Sequence, residues 1–381
     1  MTVGGAVCEF NPFHNGHKYF LESMRSSGAD GIICIMSGNF VQRGEIAICD
    51  KYARAESAVK NGADLVIELP IPYAVSTAET FARGSIGILN KLGCVDNLFF
   101  GAENSLEDII HALNECEKED VQLKIKTLLN KGISYPDAVS SATENTVLSG
   151  ANNVLAIEYI RQLNTLNSEI KPLRIERIGT YHDEKDERNG FLSASAIRER
   201  LKDGKNCDKF LPEKVCKIAD TKKLEIAILS KLRTMSVSQL RQIADVNEGL
   251  EFRIKDSIIN STSLDEILSA IKTKRYTNAK IRRILLCAYL GVTKEIQEEL
   301  PSYIRVLATN KTGLEIIKMV KEKSNISVVC RHADSENLNE SDKALYDFSN
   351  TCDDLFSLAL PEVEKCGYNQ RKKFEVIDTM T

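Results

Sequence analysis

The sequence predicts an α/β protein with a Rossmann-like parallel sheet over residues 1–204 and a mostly helical domain over 205–381. Three observations lead there. Its 381 residues exceed one typical domain and leave bulk for a large core. Through the first half, apolar runs of strand length alternate with helical patterns, and strands apolar throughout and joined by helices indicate a parallel sheet covered on both faces. From about residue 205 strand-like runs nearly vanish and helical periodicity takes over.

In chain order, the expected strands are 3–8, 31–36, 64–69, 95–101 and 174–178. Between them, helices are expected near 17–26, 51–61, 78–91 and 152–166, with a largely helical stretch over 105–150. Within that stretch, Glu115 to Asp120 reads as a solvated charge run. Beyond the Lys202–Asn206 linker, helices are expected at 222–233 and 264–272, and a short strand at 326–329. Neither internal repeats nor low-complexity tracts interrupt the pattern.

Composition narrows the class. The apolar and charged fractions, 43% and 27%, are those of an ordinary water-soluble protein. Apolar runs are too short to span a bilayer, and the first residues lack a basic region followed by an apolar stretch, so a cytoplasmic protein without membrane contact is expected. Eleven cysteines are scattered without a C-x-x-C pair. Cys8, Cys34, Cys94, Cys287 and Cys330 lie in apolar stretches and are expected as buried, reduced thiols. The net charge of −4 hides a local excess. Lys272, Lys274, Arg275, Lys280, Arg282 and Arg283 follow one another with no acid between, which suits a phosphate backbone, with Tyr276 as a stacking candidate. A solvated basic helix face is the plainer alternative.

The most informative stretch is Glu9-Phe10-Asn11-Pro12-Phe13-His14-Asn15-Gly16-His17. It joins the first strand to the first helix, so backbone N–H groups and a positive dipole end meet at one point, suited to phosphate. Gly16 lets the backbone approach a ligand and Pro12 holds the loop. His14 and His17 then stand where charge builds as pyrophosphate leaves. H-x-G-H in this setting is similar to the phosphate motif of nucleotidyltransferases that move AMP from ATP to an acceptor oxygen. A metal pair fits less well, because helical pairs usually sit at i, i+4 and no third ligand is near.

Other residues fall at strand ends. After the second strand, Arg43 and Arg54 are candidates to approach substrate, and Asp50 is expected to cap a helix. Alternation sends Asp64 and Glu68 to one face of the third strand, and Glu68 is read either as a ligand or Mg²⁺-water contact or as half of a structural salt bridge. Gly101 would let a nucleotide lie on bare backbone, and Asn152 or Asn153 could cap a helix or bond adenine or ribose. In Ser193-Ala194-Ser195-Ala196-Ile197-Arg198 the second serine is expected to cap a helix with Arg198 in its first turn, a second phosphate cradle.

The segments Glu9–His17, Met36–Gly44, Asp64–Pro70, Phe81–Gly84, Tyr181–Asp183 and Ser193–Arg198 resemble the bacterial tRNA(Met) cytidine acetate ligases. Glu248–Arg253, Lys272–Thr277 and Tyr303–Leu307 extend the likeness over nearly the whole chain. Departures are small: Glu45-Ile46, Gly101-Ala102-Glu103, Lys51-Tyr52 and Ala308 stand where Glu-Pro, Gly-Ser-Glu, Lys-Trp and glycine are expected. The resemblance implies a ligase that turns acetate and ATP into acetyl-adenylate and pyrophosphate. It then acetylates the exocyclic amine of the wobble cytidine in elongator tRNA(Met).

It further implies His14, His17, Ser195 and Arg198 as catalytic residues. ATP contacts would come from Val7, Cys8, Glu9, Phe10, Asn11, Pro12, Phe13, Asn15, Gly16, Lys18, Tyr19, Phe20, Gly101, Asn152, Asn153 and Arg177. Mg²⁺ is expected to accompany ATP, with no protein-held metal site and no protein partner implied. Two rivals remain: adenylyl transfer to a small phosphate ester, as in coenzyme A or NAD synthesis, and a non-catalytic tRNA- or nucleotide-binding protein. The long basic second half speaks against the first, and the intact motifs against the second.

Overall fold

The computed structural model describes residues 1–143, 147, 150–176, 187, 190–247 and 249–378. Among the described residues nine strands are formed: β1 Val3–Cys8, β2 Gly31–Ser37, β3 Phe40–Val41, β4 Glu45–Ile46, β5 Leu65–Leu69, β6 Asn97–Ala102, β7 Lys171–Glu176, β8 Tyr303–Thr309 and β9 Ser327–Val329. Seven of them build one sheet in the order β7-β6-β1-β2-β5-β8-β9, and β3 and β4 pair as a separate hairpin. Neighbours in the sheet are parallel except β5 and β8.

Alternation along β2 divides the core. Ile33 and Ile35 join Val3, Leu65 and Ile67 on one face, packed by the helices Ala78–Lys91 and Ala151–Thr165. Cys34 and Met36 join Ala6 and Val66 on the other, under the helices Asn15–Ser26 and Lys51–Lys60. Strands buried on both faces must be apolar at every position, which is why these runs showed in the sequence.

Two differences from the expected strands have a physical reason. The strand expected from Arg174 begins at Lys171, because Pro172 is tolerated where β7 lies at the sheet edge, beside β6 alone. β8 escaped the apolar pattern because Arg305 interrupts it. There the guanidinium is buried between Glu68, Asn350 and the Tyr346 ring. With β9 it extends the first sheet, so that sheet does not end at residue 204.

The helical part has its own core, formed by Leu232, Leu240, Ile254, Ile267, Ile284 and their neighbours. Phe40 and Ile46 of the hairpin and Phe356 of the helix Glu340–Ser357 enter the same cluster. Gly44, at the hairpin turn, has a positive φ of 74°, and a Cβ there would lie 2.3 Å from the Arg283 backbone nitrogen. Only glycine lets the turn press against the helix Asn278–Leu290 in this way.

The eleven cysteines are all unpaired; Cys34, Cys94 and Cys287 are buried, and Cys8 and Cys330 half-buried. No helix among the described residues is long and apolar enough to cross a membrane.

Candidate active site

Strand order reverses at β1, between β2 and β6, and the crevice at the carboxyl ends there is the usual ligand position of such sheets. A cavity of about 580 Å³ opens at that point. Its floor is Val7 to Asn11 and Gly101, and its sides include His14, Gly16, His17, Tyr19 and Phe20 from the first helix.

His14 is the N-cap of the helix Asn15–Ser26, its Nδ1 accepting from the Gly16 N–H at 3.0 Å. His17 Nδ1 accepts from the His14 N–H at 3.3 Å, closing a reciprocal capping box built from two imidazoles. The rings stack with centroids 3.8 Å apart, and Phe10 meets His17 edge-on at 4.9 Å. Both histidines are thereby held in one orientation before any ligand arrives.

The second motif reaches the same place. Ser193, Ala194, Ser195 and Arg198 line the cavity, and Arg198 Nη1 donates to the Asn11 carbonyl at 2.8 Å across 187 positions. The cap is Ser193, not Ser195: Ser193 Oγ accepts from the Ala196 N–H at 3.3 Å. Ser195 lies inside the first turn, where helical backbone angles put its hydroxyl out of reach of the orphan N–H groups. Its Oγ stands 3.1 Å from that of Ser193, facing the cavity. Two helix N-termini therefore open on one space.

Acids and bases are interleaved around it. Burial pushes the Glu9 carboxyl above its ordinary range, although the Gln42 N–H, Arg198, Arg54 and Arg43 pull the other way. Glu45 lies 3.9 Å from Arg198 and 3.6 Å from Arg282, linking the cavity to the helical part.

The sequence comparisons agree with this geometry. The family described as HIGH Nucleotidyl Transferase matches residues 1–371. A tRNA(Met) cytidine acetate ligase of Acetivibrio thermocellus is 37% identical over 88% of this chain and 89% of its own length. One from Clostridium perfringens is 37% identical over 92% and 96%. The chain belongs to the tRNA(Met) cytidine acetate ligase family. The solved structure of Thermotoga maritima TmcAL bound with alpha-thio ATP matches it with a TM-score of 0.87 at 29% identity, covering 97% of each chain. The apo form of that protein gives 0.88 at the same coverage.

For this nucleotidyltransferase-type ligase, several expected residues are placed elsewhere. Arg54 is buried and donates to the carbonyls of Glu9, Ser37, Gly38 and Cys49, so it shapes the loops and does not approach substrate. Glu68 is buried against Lys51 and Arg305, the structural salt bridge rather than a ligand or Mg²⁺-water contact. Arg43 and Asn152 do line the cavity. Asn153 is buried and bonds Glu103, Asn104 and Val147, which fixes the loop after β6. Pro12, Phe13, Asn15 and Lys18 are not among the cavity-lining residues, and Asn15 instead donates to the Lys209 carbonyl. Arg177, like Tyr181, His182 and Asp183, lies outside the described residues.

The basic run divides in two. Lys272, Lys274 and Arg275 are exposed. Lys280 and Arg283 are neutralised by Asp245 at 3.2 and 2.7 Å, and Arg282 faces Glu45. The acids missing from the run in sequence are supplied by other elements. Tyr276 is only 9% exposed, within the helical core, so its ring is not a free stacking face.

Gln42, Glu45, Phe81, Tyr159 and Phe191 also line the cavity, although none is among the expected site residues. The strand-end loop that points to Arg43 carries Gln42 and Glu45 as well, and Phe81 opens the Phe81–Gly84 segment of the family resemblance; Tyr159 and Phe191 carry no local signal.

Proposed function

We propose that the chain condenses acetate with ATP to acetyl-adenylate and pyrophosphate, then transfers the acetyl group to the wobble cytidine of elongator tRNA(Met), giving N4-acetylcytidine. The observation that carries this reading is the Arg198–Asn11 bond, which makes one site of two motifs far apart in sequence. ATP binding is further supported by the nucleotide analogue in the related Thermotoga structure.

In this reading His14, His17, Ser195 and Arg198 hold the β- and γ-phosphates, helped by the positive ends of both helices. Gly101 and Asn152, which line the same cavity, would contact adenosine. An acetate oxygen attacks the α-phosphorus as the bond to pyrophosphate breaks. Charge gathers on the leaving group beside the two imidazoles and Arg198, so positioning and electrostatic stabilisation do the chemistry without a covalent enzyme intermediate.

The exocyclic amine of cytidine is a weak nucleophile because its lone pair is delocalised into the ring, so the acid must be activated first. As the amine attacks the acetyl carbon, a C–N bond forms, AMP leaves and one proton is released. The base must quit its stack to enter the cavity, which is easier from a single-stranded loop. Lys272, Lys274 and Arg275 offer charge for the RNA backbone. In this reading the protein works in the cytoplasm, with its tRNA substrate.

In this reading Mg²⁺ arrives on the phosphates of ATP. Among the described residues no three His, Cys, Asp or Glu side chains converge to hold a metal ion, and Glu68 is occupied by cations.

The test has two stages. Labelled pyrophosphate should exchange into ATP only when acetate is present, and without RNA. Labelled acetate should then appear on the anticodon cytidine of unmodified tRNA(Met). Exchange that requires a phosphate ester in place of acetate would overturn the reading, as would the absence of exchange.

A further inference from the structure

Among the described residues Phe252 is the only exposed phenylalanine, with 58% of its surface open. It lies on the helix Leu250–Ile259, whose Leu250, Ile254 and Ile258 already face the core. Core packing therefore does not require an aromatic ring at this position.

Its surroundings are fixed and basic. The Arg241 guanidinium sits 5.8 Å from the Phe252 ring centroid. Arg241 Nε donates at 2.9 Å to Glu251, whose side chain is almost fully buried, while Arg241 itself stays 53% exposed. A buried carboxylate thus holds an exposed cation beside an exposed ring. The next residue, Arg253, donates to the Ala270 carbonyl at 2.8 Å, two positions before Lys272. Lys272, Lys274 and Arg275 then continue the positive surface, with no ion-pair partner among the described residues.

We infer that Phe252, backed by Arg241, is the platform on which an unpaired base of the RNA substrate stacks. The inference rests on the tRNA reading above. An aromatic face beside an arginine within a cationic surface is what single-stranded nucleic acid needs: the cations track phosphates, and the ring takes whichever base is presented. The surface is also continuous with the chemistry. Asp245, just before this helix, binds Arg283, whose neighbour Arg282 faces Glu45 at the cavity wall. A protein partner would prefer a wider apolar face. The other exposed apolar residue of the helix, Ile259, is two turns away, with the charged Lys255 and Asp256 between.

The chain contains no tryptophan, so Phe252→Trp makes a single fluorescent reporter. Unmodified tRNA should quench it, whereas a Trp at Ile259 should respond little. By filter binding, Phe252→Ala should weaken tRNA binding roughly 5- to 150-fold, and Phe252→Trp should restore it. If tRNA binds while the tryptophan at 252 stays unquenched, or Phe252→Ala binds as tightly as the parent, the platform is wrong. If Phe252→Ala instead abolishes self-association in sedimentation without changing tRNA affinity, the residue belongs to a protein interface. If the unmutated protein binds no tRNA, the tRNA reading falls, and this inference with it.

Discussion

Lys51 and Asp353, 302 positions apart, form a buried ion pair that ties the helix Glu340–Ser357 to the start of the helix Lys51–Lys60. Lys51 has no exposed side-chain surface and also donates to Glu68 at 2.6 Å. Burial works to lower its pKa, but Asp353 and then Glu68 outweigh it and raise the value. Lys51→Met removes the cation and leaves two carboxylates buried. We expect a stability loss of about 3–5 kcal/mol, seen as a lower urea midpoint at unchanged slope. A midpoint within error of the parent would mean that water already reaches these carboxylates.

His14 has two duties that can be separated. It caps its helix, and it faces the expected triphosphate. Asparagine is among the best N-cap residues, whereas alanine in place of a capping side chain costs about 1 kcal/mol. His14→Asn should therefore keep the unfolding midpoint while His14→Ala lowers it. Both should slow acetate-dependent pyrophosphate exchange by roughly 10²–10³-fold, the usual cost of one lost donor at a developing charge. A His14→Asn protein that exchanges at full rate would reduce His14 to a cap.

What the sequence revealed followed from local rules. The Rossmann-like half was legible because strands buried on both faces are apolar at every position, and a helix N-terminus after β1 announces itself through His14, Gly16 and His17. Arg305 hid β8, because one arginine breaks an apolar run and its compensation by Glu68 and Tyr346 comes from distant parts of the chain. Arg54 and Tyr276 misled for the opposite reason. Polar or aromatic residues in loops and basic runs suggest ligands, yet Arg54 is consumed by loop carbonyls and Tyr276 by the helical core. The role of Asp245 as neutraliser of Lys280 and Arg283 is a tertiary fact with no trace in the basic run itself.

That neutralisation predicts unequal roles for the cations. Lys274→Ala and Arg275→Ala each remove an exposed charge. Each should weaken tRNA binding and lower the slope of log K against log salt by about 1. Arg283→Ala removes a charge already matched by Asp245 at 2.7 Å, so the slope should hardly move. Its effect should fall on stability instead, because Asp245 is mostly buried and loses a partner. Filter binding at several salt concentrations, with urea unfolding of the same proteins, separates the two. Equal slope changes for Lys274→Ala and Arg283→Ala would mean that RNA displaces Asp245.

Glu9 supplies a pH-dependent prediction. Burial raises its carboxyl above the ordinary 4.5, and the Gln42 N–H with Arg198, Arg54 and Arg43 only partly offset that. Between 4.5 and the raised folded value the native state holds a proton that the unfolded chain has released, so stability falls as pH rises through this window. The stabilising contribution is fully present below 4.5 and gone above the folded pKa. Glu9→Gln keeps an oxygen to accept from the Gln42 N–H at 2.8 Å but cannot ionise. Its stability relative to the parent should therefore be flat below pH 4.5, climb above it and level off once Glu9 is ionised in the folded parent. Urea unfolding of both proteins from pH 4 to 8 measures the difference directly. A difference that falls with rising pH would mean that the nearby arginines outweigh burial and hold Glu9 below its ordinary value.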